Sequence, residues 1–156
     1  MAQHTATVSW NKGTPDYLKG RYSREHTWSF DGGLTVPASA SPAVVPAPWS
    51  NPAGIDPEEA FVASIASCQM LTYLHVARLA GFQIESYEDH AVGHMAPNEK
   101  RVPWVKTVIL NPRIVYGGDK RPSREEEAHL HHQAHEQCFV SQSVKTEITV
   151  AGVDAE

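Results

Sequence analysis

The 156-residue chain lacks the features of several large classes of protein. It has two cysteines, too few for the dense disulfide framework of small secreted domains. No run approaches the roughly 18 apolar residues that a membrane-spanning helix needs, so we expect no membrane partner. The formal net charge of −5 at pH 7 argues against the nucleic-acid backbone as a partner. The glycine-rich dinucleotide, Walker and serine-hydrolase motifs are absent from the sequence.

The two cysteines also bear on cellular location. Residues 1–5 contain no apolar stretch of the kind that opens a signal peptide. Thiols without a secretion signal indicate a reducing compartment, so we expect a cytoplasmic protein. In that compartment a cysteine is more often catalytic, metal-binding or inert than structural.

The composition is typical of one globular domain. Hydrophobic residues make up 41% and charged residues 20% of the chain, and neither an internal repeat nor an interdomain linker is visible. We therefore expect a single domain, 1–156. Alternating and β-branched segments predict strands at 5–10, 22–30, 34–36, 83–95, 102–116 and 145–150. The segments 83–95 and 102–116 should form a hairpin, with a bulge near Pro112 in the second.

A long central helix is predicted at about 57–80. Asp56 is its N-cap, Pro57 stands at N1, and Glu59 stands at N3, where its carboxylate can close a capping box. Gly81 follows as the stop signal. Apolar residues cover most of the helix circumference, so we expect the helix to be central and buried. One small sheet would not cover all of this apolar surface, so we also expect the helix to form part of a homodimer interface.

A second helix is predicted at about 123–138. Ser123 serves as its N-cap and Glu126 as the N3 partner of a second capping box. Six prolines between residues 37 and 57 exclude helix and central strand there. Strands combined with these two helices predict an α+β fold.

Cys68 lies in the middle of the first predicted helix. A lone cysteine in an alanine-rich helix is more often a small buried apolar residue than a nucleophile. Catalysis requires the thiolate, and Cys68 is about three turns from the helix start, beyond the reach of the helix dipole. A cationic side chain would have to lower its pKa. Arg24 and Arg21 are both candidates for that role.

Cys138, at the end of the second helix, allows two kinds of chemistry. If its thiol meets that of Cys68, the two can act as a peroxidatic and resolving pair. Alternatively, His131, His135 and Cys138 share one helical face at spacings of four and three, which can ligate zinc. A solvated helix face is the more common explanation of such a histidine-rich segment, since no second ligand cluster is present.

Two motifs resemble those of the OsmC/Ohr family of osmotically inducible and organic-hydroperoxide-resistance proteins. Residues 56–68, Asp-Pro-Glu-Glu-Ala-Phe-Val-Ala-Ser-Ile-Ala-Ser-Cys, resemble the first cysteine motif, and residues 135–141, His-Glu-Gln-Cys-Phe-Val-Ser, the second. The order of the predicted elements is also similar over nearly the whole chain. The resemblance implies an α+β OsmC-like fold and an intertwined homodimer with active sites at the subunit interface.

Carried over to this sequence, the resemblance assigns roles to four residues. It implies that Cys68 is the peroxidatic cysteine, Cys138 the resolving cysteine, Glu58 the family's acidic residue, and Arg24 its arginine, with Arg21 as the alternative. It further implies a thiol-dependent peroxidase that acts on a hydroperoxide, is reduced by an external dithiol, and uses no metal or bound cofactor. A non-catalytic OsmC-like binding protein is the remaining alternative.

Helix geometry adds a constraint on the acidic residue. Glu58 and Cys68 are ten residues apart, which places them about 15 Å apart along a helix axis and on different faces. Their side chains cannot meet within one chain. If both serve one site, Glu58 must come from a second subunit.

Overall fold

The computed structural model describes residues 2–13 and 16–153. These residues fall into two compact units, one that extends to Ala60 and one that starts at Phe61. Positions 1, 14–15 and 154–156 lie outside the described residues, and the single domain at 1–156 stays a prediction.

The described residues form eight β-strands and two α-helices, which confirms the α+β fold. In chain order these elements are β1 (Ala6–Ser9), β2 (His26–Phe30), β3 (Thr35–Ala38), α1 (Pro57–Leu79), β4 (Gln83–Asp89), β5 (Val92–Pro97), β6 (Pro103–Leu110), β7 (Pro112–Gly117), α2 (Arg124–Gln137) and β8 (Glu147–Val150). Short 3₁₀ helices lie at Tyr17–Lys19 and Ser141–Ser143.

The first unit contains an antiparallel sheet in the order β1-β2-β3. The strand predicted at 22–30 is shorter than expected and begins only at His26. The residues before His26 form their hydrogen bonds with neighbouring residues or with groups outside the sheet. Arg24 N–H donates to the Trp49 carbonyl at 2.9 Å, and Ser23 Oγ donates to the Glu25 carboxylate at 2.9 Å. Side chains that satisfy nearby polar groups compete with a strand ladder.

Helix α1 begins and ends as its sequence signals predict. Asp56 Oδ1 accepts from Glu59 N–H at 2.7 Å, and Glu59 Oε2 accepts from Asp56 N–H at 3.1 Å, so the capping box is closed. At the other end Gly81 has φ +81°, and Phe82 N–H donates to the Ala77 carbonyl at 2.9 Å. This is the Schellman pattern that favours glycine after a helix.

Helix α2 is also fixed at both ends. Ser123 Oγ accepts from Glu126 N–H at 3.2 Å, and the Glu126 carboxylate accepts from Ser123 N–H at 2.7 Å. The predicted capping box is therefore confirmed. The helix ends one residue earlier than predicted, because Cys138 is its extended C-cap with φ −74° and ψ 113°.

In the second unit α1 buries one face rather than its whole circumference. The buried side chains are Ile65, Gln69, Tyr73, Val76 and Ala77. Leu71 and Leu79 stay 60% and 65% exposed, so the single chain leaves part of the apolar surface of the helix uncovered. One 18-residue window of α1 has mean hydropathy 1.4, enough by length and composition to cross a membrane, but core helices of soluble proteins meet the same criterion.

The predicted hairpin of 83–95 with 102–116 is present but interrupted. Instead of two long strands there are four: β4 pairs with β7, and β5 pairs with β6, which β8 joins in parallel. At the break, Asn111 N–H donates to Asp89 Oδ1 at 2.7 Å, and Pro112 has no N–H to give. The ladder therefore divides into two sheets, and the expectation of two continuous strands is wrong.

Two apolar clusters hold α1 in the second unit. The first joins it to α2 through Tyr73, Val76, Ala77, Phe82, Leu130 and Ala134. Four residues of the β4–β7 sheet pack against this cluster: Ile84, Tyr87, Ile114 and Tyr116. The second joins it to β6 and β8 through Ile65, Val108, Leu110 and Val150. Cys68 lies on α1 between the parts that these clusters anchor, so its position is fixed from both sides.

Candidate functional site

The fold brings the two cysteines together within the second unit. Cys68, in the middle of α1, is partly exposed, whereas Cys138, the C-cap of α2, is 0% exposed. Both are free thiols, and their side chains lie within hydrogen-bonding distance of each other. Such proximity is what a disulfide between them requires.

The turn after α2 directs backbone donors at both sulfurs. Gln142 N–H closes the turn onto the Cys138 carbonyl at 3.1 Å. The N–H groups of Phe139 and Val140 are directed at the Cys68 sulfur, and Ser141 N–H donates to Cys138 Sγ at 3.4 Å. Because hydrogen bonds to an ionised acceptor are stronger than those to a neutral one, these donors favour a thiolate.

Burial and the neighbouring thiol oppose ionisation of Cys68. Burial raises the pKa of the Cys68 thiol, and the hydrogen bond with Cys138 raises it further. The N–H groups of Val140 and Phe139 lower the pKa, but burial and Cys138 prevail. In the single chain the surroundings of Cys68 therefore oppose its ionisation, and a reactive thiolate needs an additional positive charge.

Arg24 lies in the first unit, in the loop that precedes β2. Its Nη1 donates to the carbonyls of Gly20 at 3.2 Å and Tyr22 at 2.6 Å, and the guanidinium stacks on the Tyr22 ring at 3.7 Å. Arg21 is exposed in the same loop. Since Cys68 belongs to the other unit, a contact of either arginine with it stays a prediction.

Glu58, in the first turn of α1, carries an unsatisfied group. Its Oε2 is buried, and no hydrogen-bond partner for it exists among the described residues. The described part of the chain also contains no ion pair between Glu58 and Arg24, although both belong to the first unit. A buried carboxylate oxygen without a donor is costly, so Glu58 needs a donor that the geometry of the single chain does not supply.

The structure does not support the metal-site hypothesis. His131 is only 2% exposed and stacks on the Tyr73 ring at 4.3 Å, while the Cys138 thiol faces Cys68. Among residues 2–13 and 16–153, no group of three or more His, Cys, Asp or Glu is placed to hold a metal ion. The spacing of His131, His135 and Cys138 suits one helical face, but their side chains do not converge on a common metal position.

A groove of about 550 Å³ is lined by residues of α1 and by residues on either side of Cys138 in the sequence. Its lining residues are Leu71, Thr72, His75, Glu136, Gln137, Phe139 and Gln142. Leu71 and Thr72 follow Cys68 by three and four residues and so share its face of α1. Leu71 is 60% and Phe139 85% exposed, which gives the groove an apolar wall next to the thiol.

Sequence reasoning did not find the backbone donors or the groove. Phe139, Val140 and Ser141 act on the sulfurs through their N–H groups, which every non-proline residue has, so their side chains give no signal. The exposure of Phe139 follows from the turn after α2. One hint was available: Ser141 and Ser143, shortly after Cys138, belong to a residue type that is common in turns.

Comparisons with known proteins agree on one family. The model of the OsmC family, described as OsmC-like protein, matches residues 50–151. The structure of an OsmC-like protein of unknown function from Vibrio cholerae is 44% identical, with TM-score 0.92, over 96% of this chain and 98% of that chain. No curated protein sequence matches the chain.

More distant solved structures share the fold. An organic hydroperoxide resistance protein OsmC from Legionella pneumophila is 17% identical, with TM-score 0.69, over 96% of this chain and 97% of its own. The organic hydroperoxide resistance protein OhrB of Bacillus subtilis is 19% identical, with TM-score 0.64, over 96% of each chain. At these identities the likeness shows the fold alone.

Proposed function

The chain belongs to the OsmC-like protein family, and we propose that it is a thiol-dependent peroxidase that reduces hydroperoxides. The observation that carries the proposal is the contact between the thiols of Cys68 and Cys138 at the junction of α1 and α2. Two relatives of the same fold are named for organic hydroperoxide resistance, which supports a hydroperoxide as the substrate.

The proposed reaction uses the two sulfurs in turn. The Cys68 thiolate attacks a peroxide oxygen, the O–O bond breaks, and the departing oxygen takes a proton and leaves as an alcohol. Cys68 becomes a sulfenic acid. Cys138 then attacks the Cys68 sulfur, water leaves, and a disulfide forms. An external dithiol reduces this disulfide, so the cycle needs no metal or bound cofactor.

We propose that the active form is a homodimer in which Arg24 and Glu58 of one copy complete the cysteine site of the other. Three observations support this. The pKa of Cys68 is raised in the single chain, Glu58 Oε2 is buried without a donor, and one face of α1 is exposed. In the dimer the arginine supplies the missing positive charge, and Glu58 fixes it through a charge-assisted pair.

The groove supports an organic hydroperoxide as the substrate. Leu71 and Phe139 offer apolar surface next to Cys68, where the carbon chain of an organic peroxide gains contact and hydrogen peroxide does not. A protein that depends on free thiols works best under reducing conditions, so we propose the cytoplasm as its location.

Peroxide consumption tests the proposed function. Wild-type protein with excess dithiothreitol should consume cumene hydroperoxide faster than hydrogen peroxide, and the Cys68→Ser variant should consume neither above background. Ser67→Ala, a change at an exposed neighbouring position of α1, is the matched control and should retain activity. Failure of the wild type to consume either peroxide contradicts the proposal.

A non-catalytic OsmC-like binding protein is the second candidate, favoured by the raised pKa of Cys68. In that case the groove holds a ligand and the thiols stay inert. Thiol titration before and after exposure to peroxide separates the two functions. The peroxidase loses two titratable thiols per chain after exposure, and the binding protein loses none.

A further inference from the structure

The two sulfurs of the pair differ sharply in access. Cys138 is 0% exposed in the single chain, and coverage by another copy cannot increase that exposure. Cys68 is partly exposed. Leu71 and Thr72, on the same face of α1 as Cys68, line the groove together with Phe139. A thiol that arrives from solvent therefore meets Cys68.

Thiol–disulfide exchange depends on two factors that here point in opposite directions. The first is the stability of the leaving thiolate, and the second is access to the sulfur that is attacked. Two backbone N–H groups are directed at the Cys68 sulfur and one at the Cys138 sulfur. Because such donors stabilise a thiolate, the first factor favours Cys68 as the leaving group. Access decides the outcome, because an attacking sulfur must reach bonding distance, and no surface of Cys138 is open to it.

We propose, on the basis of the proposed peroxidase function, that the reducing dithiol attacks the sulfur of Cys68 and that Cys138 is the leaving thiolate, held by Ser141 N–H. The attacking thiolate forms a bond to Cys68 Sγ while the bond between Cys68 and Cys138 breaks. Cys138 leaves with the electron pair and then takes a proton.

The second thiol of the reductant completes the exchange. It loses its proton, attacks the reductant's own sulfur in the mixed disulfide, and expels Cys68 as a thiolate. The protein disulfide has then gained two electrons, and the dithiol has become a disulfide. Ser141 N–H is suited to its role, since it donates to Cys138 Sγ at 3.4 Å.

Mapping of the mixed disulfide tests which sulfur is attacked. The protein disulfide is formed with diamide, so that the test does not depend on peroxidase activity, and is then mixed with excess 2-mercaptoethanol, a monothiol that cannot cyclise. Acid quenching and digestion with pepsin preserve disulfides. We expect the early adduct on the Cys68 peptide to exceed that on the Cys138 peptide by about tenfold. Equal amounts, or an excess on Cys138, overturn the inference.

A pair of variants at Ser141 tests the leaving group. Ser141→Pro removes the N–H, whereas Ser141→Ala keeps it and removes only a hydroxyl that has no hydrogen-bond partner among the described residues. We expect reduction of the diamide-formed disulfide to be several-fold slower in Ser141→Pro than in Ser141→Ala, which keeps the N–H. Equal rates in both variants contradict the role of the N–H.

The outcomes separate this inference from the proposed function. If peroxide fails to form the disulfide but the diamide-formed disulfide yields the adduct on Cys68, the peroxidase proposal fails and the inference stands. If diamide itself cannot join Cys68 to Cys138, the inference is overturned. The adduct map uses the wild-type protein, so it remains decisive even if Ser141→Pro does not fold.

Discussion

The side-chain amide of Gln69 donates a hydrogen bond of 3.1 Å to the backbone carbonyl of His131 and so joins α1 to α2 one residue after Cys68. Gln69 is 0% exposed, and its Oε1 is buried with no hydrogen-bond partner among the described residues. The same side chain thus makes one favourable bond and buries one unsatisfied acceptor.

These two effects should nearly cancel, which predicts the stability of variants at Gln69. Gln69→Met keeps the side-chain volume and removes both the amide donor and the unsatisfied acceptor Oε1. Its free energy of unfolding should therefore stay within about 1.5 kcal/mol of the wild type. Gln69→Ala leaves a cavity and should lose about 2–4 kcal/mol. Urea denaturation measures both values, and equal losses would show that the hydrogen bond, rather than packing, dominates.

The backbone donor at Val140 predicts a shift in the pKa of Cys68. Val140 has φ −68°, which proline adopts readily, so Val140→Pro removes the N–H at a position whose own φ suits proline. Because this N–H lowers the pKa of Cys68, its loss should raise that pKa. The pH profile of iodoacetamide alkylation of Cys68 should move upward. Val140→Ala, which keeps the N–H, is the control and should leave the profile in place.

Arg24 should control the reactivity of Cys68 in the proposed dimer. Arg24→Met removes the positive charge that stabilises the thiolate, so peroxide turnover should fall and the alkylation profile of Cys68 should move to higher pH. Arg21→Met serves as the control at a neighbouring exposed position and should resemble the wild type. If the alkylation profile moves only in the Arg21→Met variant, Arg21 and not Arg24 stabilises the Cys68 thiolate.

The exposed face of α1 predicts self-association. Sedimentation equilibrium at micromolar concentration should give twice the mass of one chain. Leu71→Arg places a charge on the exposed face and should shift the equilibrium toward monomer, while circular dichroism shows that the variant is folded. A wild-type protein that stays monomeric would contradict the dimer and the completion of the site by a second copy.

Local signals predicted the helices well. Asp56 with Glu59 and Ser123 with Glu126 form capping boxes that depend only on neighbouring residues, so each helix start follows directly from the sequence. The interruption between β4 and β5 could not be predicted in this way. It depends on the bond between Asp89 and Asn111, which are distant in sequence and meet only after the strands pair.

The candidate site, like the fold, was predictable only where local sequence signals define it. Cys68 and Cys138 are recognisable as motifs, and the fold places them in contact. The contributions of Val140 and Ser141 are made by backbone N–H groups, whose direction depends on the turn after α2. Glu58 lacks a donor within the described chain, so the role that the resemblance implied for it depends on a second copy.

Intact-mass spectrometry after stepwise addition of peroxide tests the central claim, a two-cysteine cycle, most directly. The wild type should lose two hydrogens as the disulfide between Cys68 and Cys138 forms. Cys138→Ser should consume about one equivalent in its first turnover and then gain oxygens as Cys68 is oxidised beyond the sulfenic acid. Cys68→Ser should show neither change. Gain of oxygens by the wild type without loss of two hydrogens would contradict the mechanism.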